Sequence, residues 1–255
     1  MMNESSGGVR ASVALASFNG EKYIERQLRT ILDSLGPLDE LVVSDDGSGD
    51  QTRKIVQDFC DSDSRVRLVD GPCKGIKQNF ANAIAECRGR YIFLSDQDNI
   101  WYKEKVDRVL AEFEKSNCAV VVHDCRITGE GDKILHDSYY MLRNSKPGVW
   151  ANILKNHYVG CCMAFDSSIL KDRILPIPDN IHMHDQWIGI LGELYGSSVF
   201  IPDKLMDFCR HGDNNEEINK HYGLWVMLGN RLTFIRELNK RKRALRALPS
   251  VGRSR

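Results

Sequence analysis

The sequence lacks any apolar run approaching the roughly 18 residues that a membrane-spanning helix requires. It also lacks a signal-peptide pattern, because residues 1–10 are small and polar, and it contains no internal repeat or low-complexity tract. We therefore expect one cytoplasmic α/β domain over residues 11–220. A disordered segment at 1–10 would precede it, and a C-terminal segment at 221–255 would follow it.

No two of the eight cysteines stand in the C-x-x-C spacing of zinc and thiol-redox sites. Several of them lie inside apolar runs instead. Buried, reduced thiols are therefore a better interpretation than disulfide bonds or a zinc site, in keeping with a cytoplasmic protein.

The chain also lacks net charge, with 35 basic and 35 acidic residues, but these charges are unevenly distributed. Residues 231–255 carry nine Lys or Arg against one acid, Glu237, which gives this segment a charge of +8 and leaves −8 for residues 1–230. Such a basic tail predicts an anionic partner, most simply a membrane surface. It lacks interleaved aromatic residues beyond Phe234, so no nucleic-acid partner is expected.

An apolar stripe accompanies these basic residues in a helix predicted over residues 224–248. The stripe consists of Leu224, Met227, Leu228, Leu232, Ile235 and Leu238. A solvated helix face is one interpretation of the charges. The stripe favours the other interpretation, an amphipathic helix that lies on anionic lipid and holds the protein at the inner face of the cell membrane.

Short apolar runs alternate with helical patterns along the first hundred residues. Strands are predicted at 12–17, 40–44, 66–69 and 91–95, and helices at 24–35, 52–60 and 76–87. This alternation indicates βαβ units and a mostly parallel sheet flanked by helices. Further on, the patterns predict helices at 101–115 and 185–195 and strands at 119–123, 159–165, 199–201 and 205–208. The stretch 127–149 has no clear period and is interpreted as a loop that borders a substrate.

Two of the predicted strands end in clusters of carboxylates. Asp45 and Asp46 follow the second strand, and Asp96 and Asp98 follow the fourth. The carboxyl edge of the strands is where open α/β sheets bind their ligands. We therefore expect both clusters to contribute to a site for a metal-bound ligand that carries phosphate.

Each cluster also has a purely structural interpretation. Asp45 and Asp46 either contact a nucleotide base or ribose, or form a polar turn that caps the next helix, and taken alone the turn is the more common case. Asp96 and Asp98 either converge on one hard cation, Mg²⁺ or Mn²⁺, with oxygens left for a diphosphate, or Asp98 caps the following helix.

Two motifs in the second half carry the same ambiguity. Asp185 opens a predicted helix, where it is either a general base, with a pKa raised by partial burial beside Trp187, or an N-capping residue. Arg210 and His211 follow the last predicted strand. Either Arg210 contacts a phosphate and His211 binds a metal, or both are hydrogen-bonded surface residues.

Together and in this order, the motifs resemble glycosyltransferase family 2 over about residues 11–215. They are Ala16-Ser17-Phe18-Asn19-Gly20, Ser44-Asp45-Asp46-Gly47-Ser48, Phe93-Leu94-Ser95-Asp96-Gln97-Asp98, His184-Asp185-Gln186-Trp187 and Arg210-His211-Gly212. The phrase Asp96-Gln97-Asp98-Asn99-Ile100-Trp101 is similar to that of bacterial rhamnosyltransferase-like enzymes of surface polysaccharide assembly. The resemblance implies a GT-A fold and an inverting, single-displacement transfer from dTDP-rhamnose or a UDP-hexose to a hydroxyl of a polysaccharide or lipid-linked glycan.

The resemblance also implies roles for individual residues. The nucleotide would be held by Ser17, Asn19, Asp45, Asp46, Lys74, Asn79 and Asp96. Asp98 would bind Mg²⁺ or Mn²⁺ with His211, and Asp185 would deprotonate the acceptor hydroxyl. The acceptor pocket would be lined by His184, Gln186, Trp187 and Arg210. The family base more often follows Glu or precedes two aromatic residues, so Gln186 is a departure that concerns this pocket.

Three rival interpretations differ in what they require of the sequence. A receiver-like signalling domain would place its acidic pair after the first strand rather than the second. A nucleotidyltransferase would have a glycine-rich phosphate loop where this chain has Phe18-Asn19-Gly20. A catalytically inactive nucleotide-sugar-binding protein of the same fold is the remaining alternative, and the presence of Asp98 and Asp185 argues against it.

Overall fold

The computed structural model describes residues 8–211 and 223–247. Most of the predicted disordered segment therefore lies outside the described residues, as do Gly212 of the last motif and the basic residues Arg253 and Arg255. Of residues 8–10, Arg10 forms a two-point ion pair with Asp39, with distances of 2.6 and 2.9 Å. Arg10 is thus held in place directly before the first strand.

The sheet contains nine strands among the described residues, and the longest apolar runs lie at its centre. The strands are β1 (Ala11–Ser17), β2 (Glu40–Asp45), β3 (Val66–Asp70), β4 (Tyr91–Ser95), β5 (Ile100–Trp101), β6 (Val120–Thr128), β7 (Ile134–His136), β8 (Met163–Asp166) and β9 (Ser198–Cys209). Every residue of β1 and of β2 is buried, which is typical of parallel strands that helices cover on both faces.

Helices follow most of these strands and cover the sheet. They are α1 (Ile24–Ser34), α2 (Thr52–Ser62), α3 (Ile76–Glu86), α4 (Lys105–Ser116), α5 (Tyr139–Arg143), α6 (Val149–Leu154), α7 (Ser167–Ile174), α8 (His184–Tyr195) and α9 (Leu224–Ala247). In α1 the side chains of Ile24, Leu28 and Ile31 recur at helical spacing and are fully buried. Each such side chain contributes about 1.5–3 kcal/mol to folding.

The strand order is β3-β2-β1-β4-β8-β6-β9-β5, with β7 beside β6. β1 pairs in parallel with both β2 and β4, and β2 pairs in parallel with β3. β8 is antiparallel to β4 and β6, while β6 and β9 are again parallel. The predicted α/β fold with a mainly parallel sheet flanked by helices is confirmed, and the carboxyl ends of β1, β2 and β4 share one edge.

The second half differs from the prediction where strands are short or interrupted. The helix predicted from residue 101 begins at Lys105, because Ile100 and Trp101 pair with β9. The strands predicted at 199–201 and 205–208 are one strand, β9, whose register to β6 shifts near Asp124. The stretch 127–149 is not one loop: it holds β7, α5 and the start of α6.

The eight cysteines all lie in the described part of the chain and all are free thiols. Six are buried, Cys60 is partly exposed and Cys73 is exposed. The prediction of buried thiols is thus confirmed for most of them. Cys125, Cys161 and Cys162 lie together beneath the carboxyl edge of the sheet, where burial raises the pKa of Cys162 well above its ordinary value.

The apolar stripe predicted along α9 serves two surfaces. Phe234 and Leu238 are buried against the domain, and the Phe234 ring meets Trp187 edge-on at 5.9 Å. Arg241 donates hydrogen bonds to main-chain carbonyls at the end of α7. Of the predicted stripe, Leu238 therefore faces protein, which corrects the expectation that all of it faces lipid, whereas Met227, Leu228 and Leu232 are exposed. No helix in the described ranges is long and apolar enough to cross a membrane.

Candidate active site

Three neighbouring parallel strands deliver polar side chains to one edge of the sheet. Ser17 ends β1, Asp45 ends β2 and Asp96 directly follows β4. Because β1 lies between β2 and β4, these residues are brought together, and the Ser17 hydroxyl donates a hydrogen bond to Asp45 at 2.9 Å. The register of these strands therefore brings the two acidic clusters to the same carboxyl edge of the sheet, as expected.

The Asp45 carboxylate organises the turn after β2. It is buried and accepts hydrogen bonds from the Ser48 N–H (2.9 Å) and hydroxyl (2.6 Å), in addition to that from Ser17. Arg53 forms an ion pair with it at 3.3 Å. Burial alone would raise the pKa of Asp45, but the hydrogen bonds, those of Ser48 first, lower it. The turn-forming interpretation of Asp45 therefore holds in the structure.

The other residues expected at the nucleotide form a connected rim around this turn. Asp46 accepts from the main-chain N–H groups of Lys74 (3.3 Å) and Gly75 (2.7 Å), which draws the loop before α3 to the end of β2. Asn79 donates to the Ser17 carbonyl at 3.1 Å. The Asn19 side chain accepts from the Gly49 N–H at 2.9 Å. The Lys74 side chain is exposed at this rim.

Gln97 links the acidic cluster after β4 to the loop after β1. Its amide accepts from the Phe18 N–H at 2.9 Å and donates to the Phe18 carbonyl at 3.1 Å. A Cβ atom at Gly20 would overlap this amide, so a larger residue there would displace the Gln97 side chain. The middle residue of Asp96-Gln97-Asp98 is thus structural, which the sequence pattern did not indicate.

Asp98 and His211 meet although 113 residues separate them in the chain. The Asp98 Oδ2 and His211 Nε2 atoms are 2.8 Å apart, and the imidazole stacks on the Tyr23 ring at 4.2 Å between centroids. Tyr23 lies directly before α1, so the loop after β1 also positions the histidine. The predicted pairing of Asp98 with His211 is therefore present in the structure.

Three carboxylates share this region, and their charges affect one another. Burial raises the pKa of Asp96 to about 7, and the neighbouring charges of Asp98 and Asp185 add to the effect. A raised pKa caused by burial together with specific charged neighbours is typical of functional sites.

Asp185 lies in the first turn of α8 and is buried. Its Oδ1 atom accepts hydrogen bonds from the Asn156 side chain (2.9 Å) and the Gln186 N–H (2.6 Å). Burial raises the pKa of Asp185 to about 6, although these hydrogen bonds oppose the shift. The N-cap of α8 is Met183, so Asp185 is not the N-capping residue. A carboxylate with such a pKa is suited to accept a proton at neutral pH.

The residues expected in the acceptor pocket have different surroundings. His184 stacks on Phe80 at 4.1 Å, and burial lowers its pKa to about 3. Neither of its ring nitrogens has a hydrogen-bond partner within residues 8–211 and 223–247. Gln186 donates to the Asn152 carbonyl at 2.6 Å, which ties α8 to α6. Trp187 is fully buried and donates to the Ile174 carbonyl at 3.0 Å, so it is a packing residue rather than the wall of a pocket.

Arg210 continues the path of β9 beside β6. Its main-chain N–H donates to the Thr128 carbonyl at 2.7 Å, which places His211 at the edge of the sheet. The Arg210 side chain is partly exposed.

A buried lysine lies beneath the acidic cluster. Lys105 opens α4, and its ammonium group donates to the Cys161 carbonyl (2.8 Å), contacts the Met206 sulfur (3.4 Å) and lies 3.6 Å from the centroid of the Trp101 ring. Burial lowers the pKa of Lys105 to about 8, and the charge of Asp96 opposes the shift. The ammonium of Lys105 is near enough to Asp96 for the two charges to act on each other.

Sequence reasoning did not find Asn156, Lys105, Tyr23 or Arg53. Asn156 lies in a segment without a period, and Lys105 lies on a helix face where the pattern predicts apolar residues. Tyr23 and Arg53 stand in the first turns of ordinary amphipathic helices or next to them. The one usable signal was Lys105, which falls in register with the buried Val109 and Phe113 of α4.

With this geometry in place, comparison with known proteins identifies the family. The family model for glycosyl transferase family 2 matches residues 12–174, which is more than half of the chain. The chain therefore belongs to glycosyltransferase family 2. The matched residues include the edge with Ser17, Asp45, Asp96 and Asp98, whereas Asp185 and His211 lie beyond them.

Three curated relatives share parts of this sequence. The "Putative teichuronic acid biosynthesis glycosyltransferase TuaG" of Bacillus subtilis is 27% identical over 59% of this chain and 59% of its own. The "UDP-Glc:alpha-D-GlcNAc-diphosphoundecaprenol beta-1,3-glucosyltransferase WfgD" of Escherichia coli is 27% identical over 71% of this chain and 69% of its own. The "dTDP-rhamnosyl transferase RfbG" of Shigella flexneri is 34% identical over 41% of this chain and 39% of its own. This last match agrees with the expected rhamnosyltransferase-like resemblance. The chain spans 59% of the length of TuaG.

Solved structures share the fold. S. aureus TarS 1-349 in complex with UDP-GlcNAc matches with a TM-score of 0.64 and 17% identity over 84% of this chain and 62% of that one. The mannosyltransferase PcManGT from Pyrobaculum calidifontis in complex with GDP-Man and Mn²⁺ matches with a TM-score of 0.61 and 16% identity over 95% of this chain and 76% of that one. The GT-A fold expected from the sequence is confirmed.

Proposed function

We propose that this protein transfers a sugar from a nucleotide-diphosphate sugar to a hydroxyl group of a cell-surface polysaccharide or lipid-linked glycan, with inversion at the anomeric carbon. One observation carries the proposal: the buried Asp185 lies close enough to Asp96 to raise its pKa, beside the Asp98–His211 pair. A base for the acceptor and polar groups for a diphosphate are thus available at one edge of the sheet.

The proposed donor is dTDP-rhamnose or a UDP-hexose. The names of RfbG and WfgD support these two choices, and TarS, with the same fold, has been solved with UDP-GlcNAc. The connected rim of Ser17, Asn19, Asp46, Lys74 and Asn79 is proposed to hold the nucleotide, with Asp45 keeping the turn in shape. The exposed ammonium of Lys74 offers a positive charge to a phosphate.

A divalent cation, Mg²⁺ or Mn²⁺, is proposed to bind at Asp98 and His211. Adjacent ligands of an octahedral ion lie about 3 Å apart, and the 2.8 Å between Asp98 Oδ2 and His211 Nε2 fits this spacing. No group of three or more His, Cys, Asp or Glu in residues 8–211 and 223–247 is arranged to hold a metal alone. Diphosphate oxygens and water would therefore complete the shell, and the Mn²⁺ in PcManGT supports the choice of ion.

Bound at this position, the cation would neutralise negative charge on the departing diphosphate. Asp185 acts on the other reactant. Its carboxylate takes the proton from the acceptor hydroxyl as that oxygen attacks the anomeric carbon, and the electron pair of the breaking sugar–oxygen bond leaves with the diphosphate. Attack opposite the leaving group inverts the configuration without a covalent intermediate. Asn156 and the Gln186 N–H hold Oδ1 of the base in place.

We propose that the reaction takes place in the cytoplasm, in peripheral contact with the inner face of the cell membrane. The acceptor named for WfgD is a diphosphoundecaprenol, which supports a lipid-linked acceptor here. His184 and Arg210 are proposed to line the acceptor side, whereas Gln186 and Trp187 support α8 from within the protein.

The proposal is tested by following donor turnover. Purified protein is incubated with a panel of UDP-, dTDP- and GDP-sugars, with Mn²⁺ or with EDTA, and nucleotide diphosphate release is measured. Metal-dependent release from one donor is expected, and NMR of a trapped product should show inverted configuration. Absence of both release and nucleotide binding by calorimetry would contradict the proposal and favour a protein without catalytic activity.

The rate of transfer is expected to fall as the pH drops through the value at which Asp185 gains a proton. With a raised pKa of about 6, the base is charged above pH 6 and protonated below it, so kcat should fall about tenfold per pH unit on the acid side. Asn156→Ala removes a hydrogen bond that favours the charged form, and this limb should move to higher pH. A pH profile of kcat at saturating donor measures both effects.

The matched control for this prediction is Asn180→Ala. Asn180 donates to the Glu237 carboxylate at 3.0 Å, an equivalent hydrogen bond at the contact of α9 with the domain. It should leave the acid limb in place. An unshifted limb in Asn156→Ala would mean that Asn156 has only a structural role.

Lys105→Met is expected to make the fold more stable and the reaction slower. Lys105 has a pKa lowered from 10.5 to about 8, so the unfolded chain binds more protons between these values and wild-type stability rises with pH across that window. Methionine removes the buried charge, and a gain of about 1–3 kcal/mol at pH 7 should shrink as the pH rises above 8. Losing positive charge beneath Asp96 should lower kcat about tenfold.

Thermal unfolding at neutral and alkaline pH, together with kcat, tests the Lys105 prediction. Lys103→Met is the control, because Lys103 is exposed beside the same helix. A Lys105→Met protein that loses stability at pH 7 would show that the ammonium is stabilising where it lies, contrary to this account.

A further inference from the structure

Exposed apolar side chains are concentrated on three helices. Of the fourteen large apolar residues that are exposed in the described part of the chain, nine lie on α5, α6 and the first half of α9. They include Met141 (87% exposed), Trp150 (73%), Leu154 (61%) and Trp225 (85%). Tryptophan exposed to this degree is unusual in a surface that contacts only water, and such a concentration marks an interaction site.

The three helices lie next to one another, and we call their exposed apolar side chains together the apolar face. Trp150 and Leu154 are four residues apart and so lie on the same side of α6. Arg231 of α9 donates to the Leu154 carbonyl at 2.6 Å, which places the first half of α9 next to the end of α6. Lys155 donates to the Arg143 carbonyl at 3.3 Å and so joins the end of α5 to the same region.

The charges carried by the three helices and the segment between α5 and α6 are mostly basic, and the acid beside them is the partly exposed Glu193, which accepts from the Gly148 N–H at 2.9 Å. No Asp or Glu occurs between residues 138 and 165, whereas Arg143, Lys146 and Lys155 do. The first half of α9 adds the basic Arg231 and no acid. Exposed tryptophan and leucine bordered by cations is the composition of a surface that enters the interface of an anionic membrane. A second copy of the chain would bring like charges together, which disfavours self-association through this face.

The apolar face is connected to the candidate base. Asn156, which follows Lys155, donates to Asp185 at 2.9 Å, and Gln186 donates to the carbonyl of Asn152 in α6 at 2.6 Å. The helix that carries Trp150 and Leu154 is therefore hydrogen-bonded to the helix that carries Asp185. An acceptor held in a membrane that contacts this face would approach Asp185 from the side of α6.

We propose that the apolar face of α5, α6 and the first half of α9 docks on an anionic lipid surface and so presents a membrane-held acceptor to Asp185. The second part of this statement rests on the proposed function. The surface differs from the one expected from the sequence, since the basic second half of α9 packs on the domain through Phe234 and Leu238.

Vesicle co-sedimentation of the full chain tests the docking without any activity. The probe is phosphatidylcholine vesicles with one third phosphatidylglycerol, compared with phosphatidylcholine alone. We expect binding to the anionic vesicles, and at least tenfold weaker binding for the double variant Trp150→Ser/Trp225→Ser. Lys146→Gln/Lys155→Gln should weaken binding to the anionic vesicles alone. Leu38→Ser, which replaces an exposed apolar residue (60%) outside the three helices, is the control and should bind as the wild type does.

Three results would overturn the docking proposal. Binding that the tryptophan variant leaves unchanged would place the contact elsewhere, and equal binding to both vesicle types would remove the role of charge. A dimer in light scattering that the same variant dissociates, without vesicle binding, would show that a second copy covers the face. Donor hydrolysis in solution is measured in parallel and should be the same in wild type and variant. If donor hydrolysis is absent while vesicle binding persists, the proposed function fails and the docking surface stands.

Discussion

Replacing Asp185 by Asn is expected to lower kcat by about 10³-fold while the affinity for the nucleotide is retained. The amide has nearly the shape of the carboxylate and can keep a hydrogen bond to Asn156, but it cannot accept the proton of the acceptor hydroxyl. Because the lost interaction develops only as the proton moves, the effect should appear in kcat and hardly in the KM for the donor. Initial rates with donor and acceptor, and calorimetry with the nucleoside diphosphate, measure the two quantities.

The control for Asp185→Asn is Asp172→Asn, the same chemical change at an exposed position of α7. It should have the activity of the wild type. The acid limb of the pH profile should also disappear from the residual activity of Asp185→Asn. If the variant keeps more than a tenth of the wild-type rate, or keeps the acid limb, another group is the base.

The first half of the fold could be predicted from the sequence because each element there has an unmixed pattern. β1 and β2 are buried along their whole length, so they read as continuous apolar runs, and α1 presents its buried residues at regular helical spacing. The second half obeys other constraints. β5 has two residues and exists only because β9 supplies its partner, and the five-residue α5 begins where Ser138 caps it. Such elements depend on contacts that are distant in the sequence.

The candidate site was predictable where chemistry is concentrated in short motifs, and much less so where single residues act. Asp98 and His211 were paired from their motifs, and the structure places them 2.8 Å apart. The roles of Asn156 and Lys105 depend on the residues that surround them. The burial of a single polar residue cannot be predicted from the sequence around it. Trp187 shows the opposite case, since a residue inside a functional motif packs against Phe234 of α9.

The three carboxylates Asp45, Asp96 and Asp185 illustrate how surroundings divide roles among like residues. Each is removed from bulk water, which alone would raise every pKa. Asp45 has enough hydrogen-bond donors to overcome this effect, so its charge is fixed and it serves to hold a turn. Asp96 faces two other carboxylates and has a pKa of about 7, and Asp185, whose hydrogen bonds do not offset the effect of burial, has one of about 6. Groups that bind and release protons near neutrality are those suited to the chemistry.

Replacing Asp98 by Ala is expected to abolish the dependence of the reaction on a divalent cation and to lower kcat by about 10²–10⁴-fold. The Asp98 carboxylate supplies a hard oxygen ligand beside His211, and an imidazole alone holds Mg²⁺ or Mn²⁺ poorly. The stacking of His211 on Tyr23 does not involve Asp98, so the histidine should keep its place and the fold its stability. The expected loss is therefore one of metal binding and not of structure.

Two measurements distinguish a loss of metal binding from a loss of structure. Calorimetric titration with the nucleoside diphosphate should give an affinity that Mn²⁺ strengthens in the wild type and leaves unchanged in Asp98→Ala, while thermal unfolding is the same for both proteins. His211→Ala should lie between them, because it retains the carboxylate, and Asp58→Ala, which removes an exposed carboxylate of α2, should behave as the wild type. If Asp98→Ala kept full Mn²⁺-dependent turnover, the cation would have to bind elsewhere. In that case the 2.8 Å contact between Asp98 and His211 would be a hydrogen bond that joins the loop after β4 to the end of β9.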